Sequence, residues 1–327
     1  MTSLRMNFVG RFLRLLLPAL LLLLTLQFAS AATPQELLAA GRVDEAIPIL
    51  KQQIASHPTD AESHNLLCRA YFMLEEWDRG IEACERARDV DPQKSLYHLW
   101  LGRIYGEKAD HAGFLSAAGL AKKVRASFER AVQLDPRSWE ARTDLAEFYL
   151  EAPSIVGGGR DKARAQADEI MALNPARADW VRAKIAEKEK DSAAAEREYR
   201  AAISASHSGA RAWFDLGYFL YHAGRLDEMG QAMQTVESSP LDRPESLRDA
   251  ASVLLRAGRD YPLAIRFLRR YLASPVEEAP AFKAHDMLGQ LLEKQGDRKA
   301  AAEEFRAALA LAHTYHGAQE DLKRVGH

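Results

Sequence analysis

A spacing of 17 residues recurs along this chain and limits its fold more than any other feature. Leu67 and Cys84, Leu216 and Met233, and Leu288 and Phe305 are each 17 apart. Each pair links equivalent apolar positions of two amphipathic stretches joined by a short polar turn. Such a register suits two helices folded back on one another and does not suit strands, whose pattern repeats every two residues. The stretches "GIEACERARDVDP", "SFERAVQLDP" and "ARAQADEIMALNP" each end in a proline that cannot continue a helix. Gly80, Ala163, Ala195 and Ala301 stand four residues before the second-helix position of their units, where two helices must approach closely. The chain therefore reads as a succession of helical hairpins.

The segments "LGRIYG", "DLGYFL" and "MLGQLL", each followed by a small residue, a large apolar residue four later and in several units a closing proline, resemble tetratricopeptide repeats. The likeness runs through nearly all of residues 33–327, as about seven or eight units with a partial first one. It implies an all-α, right-handed superhelical solenoid of antiparallel helix hairpins, with the first helices lining a concave groove for peptides or extended protein segments. Two units depart from the pattern. The fifth is short, its closing proline replaced near His207, and the seventh is weak, around "SLRDAASVLLRAGRDYPLAIRFLRRYLASP".

Residues 1–31 stand outside this frame. Arg5, Arg11 and Arg14 precede an apolar run from Leu15 to Phe28, and Ala29-Ser30-Ala31 supplies small residues for cleavage, the pattern of a secretory signal peptide. The expected location is periplasmic or secreted. The alternative is a chain held at the membrane by an uncleaved segment, although the run is short of the roughly 20 residues a spanning helix needs. Removing three arginines from a formal charge of −2 leaves −5, a balance that does not fit a nucleic-acid binder. No motif points to a cofactor.

Two units carry insertions. Leu101 to Phe128 is 27 and Leu145 to Ala167 is 22, so extra residues fall near 106–125 and 150–162, between first and second helices. Turns of that kind share one edge of a solenoid and should lie close together. The second insertion, "APSIVGGGRDKA", lacks the strand before it and the hydroxyl residue after its lysine that a phosphate loop requires. One reading is a long turn in which Pro153 ends a helix, the glycines take unusual backbone angles and Asp161 caps the next helix. The other is that free amides beside Arg160 and Lys162 hold an anion or a partner's carboxylate. In the first insertion, Phe114 and Leu115 beside Lys122, Lys123 and Arg125 read either as lengthened, solvated helices or as a lip that grips an acidic partner. The pair of insertions, with its "AP…GGG…KA" pattern, is similar to exported bacterial repeat proteins, among them the periplasmic T-component of TRAP-type transporters. The cysteine that would carry a lipid anchor is missing at the expected cleavage point.

Other clusters fit the repeat better than they fit chemistry. His64, His98 and His285 each precede the recurring leucine by three, which marks packing positions and not a metal set. His313 and His316 near Glu320 are a weaker zinc candidate, since they could share a helix face. Cys68 and Cys84 flank the turn near Glu76 symmetrically. A bridge between them is open, requiring Cα atoms within about 7 Å. The groove residues are expected to be Asn65, Arg69, Arg103, Glu147 and the aromatic stripe Phe214, Tyr218 and Tyr221. These readings together describe a non-catalytic scaffold that holds a protein or peptide partner in the groove or on the inserted edge. The alternative is an accessory of a periplasmic solute transporter, binding an anionic ligand or a solute-binding protein.

Overall fold

Each hairpin begins where the sequence supplies a cap or a turn, and the alternating helices follow from that punctuation. The computed structural model describes residues 32–274 and 280–326, and for Phe114 and Leu115 the backbone alone. Among these residues there are seventeen α-helices and no strand. The first hairpin is α1 (Pro34–Ala39) with α2 (Val43–Ser56), followed by α3 (Ala61–Met73) with α4 (Trp77–Val90) and α5 (Ser95–Asp110) with α6 (Phe114–Leu134). Next come α7 (Trp139–Glu151) with α8 (Arg160–Met171), α9 (Pro175–Lys188) with α10 (Ser192–Ala205), and α11 (Ala210–His222) with α12 (Leu226–Ser238). The last are α13 (Glu245–Ala257) with α14 (Tyr261–Leu272), α15 (Ala281–Lys294) with α16 (Arg298–Leu311), and the single helix α17 (His316–Val325). Asp60, Ser138, Asn174, Asp191, Asp260 and Asp297 cap six of these helices through side-chain oxygens that accept from backbone amides. No described helix is long and apolar enough to cross a membrane, and the signal-like segment 1–31 lies outside the described residues.

The 17-residue register has a direct packing cause. The side chains of Phe128, Met233 and Phe305 lie over Gly102, Gly217 and Gly289, where a Cβ would collide with them. In the second hairpin the same two places hold Cys68 and Cys84, joined as a disulfide with Cα atoms 5.1 Å apart. Gly80, one turn before Cys84, lets α4 lie close to α5 of the next unit, because a side chain there would strike Ile104. First helices pack on first helices of neighbouring units, so one apolar core runs from Leu37 to Val325.

Links between units also repeat. His64 Nε2 lies 3.0 Å from the Pro58 carbonyl and His98 Nε2 2.9 Å from that of Pro92. Arg142 takes the same place in the next unit, donating to the Pro136 carbonyl at 2.8 Å. These side chains tie the linker to the first helix that follows. His285 differs from its two counterparts, pairing instead with Glu304 at 2.7 Å. Tyr105 and Tyr149 donate to Glu85 and Glu129 of the preceding second helix. In the fifth unit the missing proline is replaced by two left-handed residues, His207 and Ser208.

The two ends of the solenoid meet. Asp44 accepts from the His313 amide at 2.7 Å and faces its imidazole at 2.7 Å, while Lys283 pairs with Glu75 at 2.5 Å. Gly41 abuts Ala281 so closely that a Cβ would stand 2.7 Å from its amide nitrogen. Partners more than 200 positions apart in sequence thus close the array on itself.

Candidate functional site

The first helices present their starts side by side, and a cleft of about 690 Å³ opens across those of α7, α9, α11 and α13. Trp139 and Thr143 come from α7, Arg177 and Trp180 from α9, Arg211 and Asp215 from α11, and Glu245 from α13, with Arg103 reaching in from α5. Pro175 at the first position of α9 and the Asn174 cap fix where that helix begins. Arg177 and Trp180, three apart, then lie on one face. The Arg177 guanidinium lies 3.5 Å from the Trp180 ring centroid, a stacked cation–π contact.

Charges of both signs alternate across the cleft. Arg103 donates to Asp144 at 2.7 Å, Arg211 to Asp215 at 3.2 Å, and Arg177 stands 3.9 Å from Asp215. Burial, together with repulsion from Arg211, pushes the Arg177 pKa down to about 10. Burial also opposes the charge on Arg211, but Asp215 and Asp249 outweigh it and hold that group above its ordinary value. Glu147 is open to solvent, yet the surrounding protein walls partly desolvate it. That effect, with Asp144 nearby, raises its carboxyl. Such a surface offers aromatic area, donors and acceptors to a ligand that carries amides and charges of both signs.

The groove residues named from sequence divide. Arg103 lines the cleft, and Arg69 and Arg103 flank the Trp100 ring at 5.1 and 5.0 Å. Tyr218 and Tyr221 are half-buried and both pack against His222. Asn65 and Phe214 are corrections, being 0% and 8% exposed and part of the interior. First helices are covered on both flanks by their counterparts, α3 by α1 and α5, and α11 by α9 and α13. Much less of each helix remains free than a single hairpin suggests. Asn65 is left with neither amide atom hydrogen-bonded.

The inserted edge is also reorganised. The two insertions do touch: Arg125 donates to the Val156 carbonyl at 3.3 Å and lies against Gly157, whose φ of 106° favours glycine. The ten extra residues of the first insertion enter the helices, α5 reaching 16 residues and α6 reaching 21 against 13 and 14 in the preceding hairpin. The second insertion is a turn of 3-10 helix, Ser154–Val156, and the glycine triplet. The amides of Gly157, Gly158 and Gly159 are bonded to Ser154, Pro153 and Tyr149. Because those three amides are occupied inside the turn, they do not form an anion cradle. Asp161 is not the cap expected of it; Gly159 occupies that position, and Asp161 pairs with Arg164 at 2.8 Å. Lys162 donates to the Gly157 carbonyl at 2.8 Å, and Lys123 stands 4.0 Å from Glu85 and 4.9 Å from the Tyr105 ring centroid. Lys122 and Arg160 remain exposed. The side chains of Phe114 and Leu115 lie outside the described residues.

His313 precedes α17 and faces Asp44, whereas His316 lies on α17 and 3.6 Å from Glu320, so the pair shares no helix face. No group of three metal-ligating side chains comes together among the described residues. Asp286 is a buried carboxyl near Asp321, Tyr315 and Arg324. Burial first, then Asp321, pushes its pKa up to about 7. A carboxyl raised in the folded state favours folding while protonated and loses that advantage as pH rises through the folded value. The last hairpin should therefore lose stability between about pH 4 and 7 and level off above it. Urea melts across that range will check this, with Asp286→Asn flattening the dependence.

Sequence searches match residues 37–104, 181–243 and 282–315 to the tetratricopeptide repeat. The chain is 26% identical over 200 residues to superkiller complex protein 3 of Mus musculus, a stretch covering 60% of this chain and 12% of that protein. It is 21% identical over 131 residues to tetratricopeptide repeat protein 21 homolog of Caenorhabditis elegans, covering 40% of this chain and 9% of that one. The chain thus spans only about a tenth of the length of either relative. Among solved structures, yeast Tom70 superposes with a TM-score of 0.53 at 14% identity, covering 87% of this chain and 58% of Tom70. A thermophilic TPR protein of Thermus thermophilus gives 0.48 at 19% identity, covering 57% and 97% respectively.

Proposed function

We propose, from the premise that this chain is a tetratricopeptide-repeat protein, that it is an exported, non-catalytic adaptor holding an extended protein segment in the cleft across α7, α9, α11 and α13. Proteins of this family are typically protein-interaction scaffolds. The observation that carries the reading is the cleft itself, whose two tryptophans and alternating arginines and carboxylates come from successive units. An extended peptide offers unpaired donors and acceptors along its whole length, and aromatic side chains supply contact area at low entropic cost. Export rests on the signal-like segment and agrees with a bridged cysteine pair, which persists in oxidising compartments. N-terminal sequencing of the protein from its source cells should start at Ala32; a start at Met1 in the membrane fraction would favour the uncleaved, membrane-held alternative, and a start at Met1 in the cytoplasmic fraction would reverse the export assignment.

A second reading, a solute-handling role, draws on the strength of Arg177 as a partly desolvated cation that would welcome an anionic solute. Melting curves against a panel of small carboxylates and phosphates separate the two. An adaptor should show no shift beyond that of salt alone. A shift of several degrees at millimolar ligand, lost in Arg177→Ala, would move the function to solute binding.

A further inference from the structure

The turn between α7 and α8 places one apolar side chain in solvent on a hydrogen-bonded backbone. Ile155 is 88% exposed, the one large hydrophobic residue so exposed among the described residues. The residue after it, Val156, is buried, and its carbonyl accepts from Arg125. The Gly157 carbonyl accepts from Lys162, and the glycine amides close back on Ser154, Pro153 and Tyr149. Gly158 lies so close to the Ala152 carbonyl that no side chain fits. Hydrogen bonds on both sides of the tip therefore hold a turn that could otherwise fold its isoleucine inward. A backbone already held by hydrogen bonds loses little freedom on binding.

We propose that this turn is a second docking surface, with Ile155 as the anchor that enters an apolar socket on a folded protein partner and with Lys122 and Arg160 facing carboxylates on the socket's rim. An apolar anchor ringed by polar groups is how a few residues come to dominate a protein interface. The charge of the rim follows from what is already neutralised. Asp161 is paired with Arg164 and Glu151 with Lys188. Arg160 is 57% exposed and stands 4.0 Å from Glu189, which is held more closely by Arg164 at 3.2 Å, and Lys122, one helical turn before the Arg125 that bonds the Val156 carbonyl, is exposed with no ion pair among the described residues. A single isoleucine among charges of both signs is a poor fit to a bilayer, where a continuous apolar face is needed. The surface is distinct from the cleft: α7 carries Trp139 at one end and leads into the turn at the other, about 20 Å away at 1.5 Å per residue.

The test uses the full chain in its source cells, with a diazirine analogue of an aliphatic amino acid, which keeps the anchor apolar and of similar size, placed at 155 in one strain and at the exposed Lys299 in another. One protein should crosslink from 155 and not from 299. That protein, purified, should bind Ile155→Asp about ten- to a hundredfold more weakly and Ile155→Val about fourfold more weakly. Trp139→Ala, at the far end of α7 and in the cleft lining, should leave this affinity unchanged, which separates failure here from failure of the cleft reading. Ile155→Asp should also melt with the parent, because the side chain packs on nothing. The proposal is overturned if crosslinking from 155 is no stronger than from 299, if its only products are lipid or a second copy of this chain, or if Ile155→Asp binds with the parent's affinity.

Discussion

Phe305→Ala should lower the stability of the last hairpin by about 3–5 kcal/mol, the usual loss for a buried phenylalanine in a core that only partly collapses. Phe305 is fully buried and its ring covers Gly289, where a Cβ would stand 2.5 Å from the ring edge. Gly289→Ala should cost about 1–3 kcal/mol by overpacking. The two together should be less harmful than their sum, because a methyl at 289 fills part of the space the ring leaves. Since each unit is supported by the units it touches, and the two ends of the array touch through Lys283 with Glu75 and His313 with Asp44, hydrogen exchange should show the loss first in α15 and α16 and last in the middle units, from α7 to α10. Additive effects would mean that the glycine and the ring are not a packing pair.

Reduction of the disulfide should have the next largest effect and the opposite location. Cys68 and Cys84, 16 residues apart, close a short loop whose restriction is worth about 3 kcal/mol. They occupy the places taken elsewhere by glycine and a large apolar residue, so reduction removes a bond without supplying the packing that supports the other hairpins. With both thiols shown to be free by labelling, exchange in α3 and α4 should accelerate while that in α9 and α10, in the middle of the array, should not. The Cys68→Ser, Cys84→Ser variant should behave like the reduced parent and ignore reductant. A parent that is indifferent to reduction would contradict the role given to the bridge.

The order of the hairpins was readable because it is written in short-range spacing. Leu216 and Met233 mark the register, and the excess between Leu101 and Phe128 marks an insertion without any coordinates. The contact of Arg125 with Val156 shows how far such reasoning extends: two insertions in neighbouring units lie on one edge, and a repeat geometry makes them meet. It failed where a face was inferred from one hairpin. Asn65 and Phe214 look free beside their own partner helix and are covered by first helices of adjacent units. The cleft was missed for the same reason. Arg177 and Trp180 lie three apart in a helix start that has no distinguishing motif, and only the stacking of α7, α9, α11 and α13 brings them to Trp139 and Asp215. Ile155 was passed over because an isolated apolar residue in a turn carries no pattern. The meeting of Asp44 with His313 depends on curvature summed over every unit, which no local spacing records.

The measurement that bears most directly on the adaptor account is selection of a displayed library of unstructured peptides against residues 32–327 with the disulfide intact. The account predicts that extended sequences are enriched and that Trp139→Ala, which removes the half-buried aromatic side chain of the cleft while leaving Ile155 untouched, weakens the selected peptides about tenfold or more. Enrichment of nothing, or of peptides that bind Trp139→Ala as well as the parent, would contradict it.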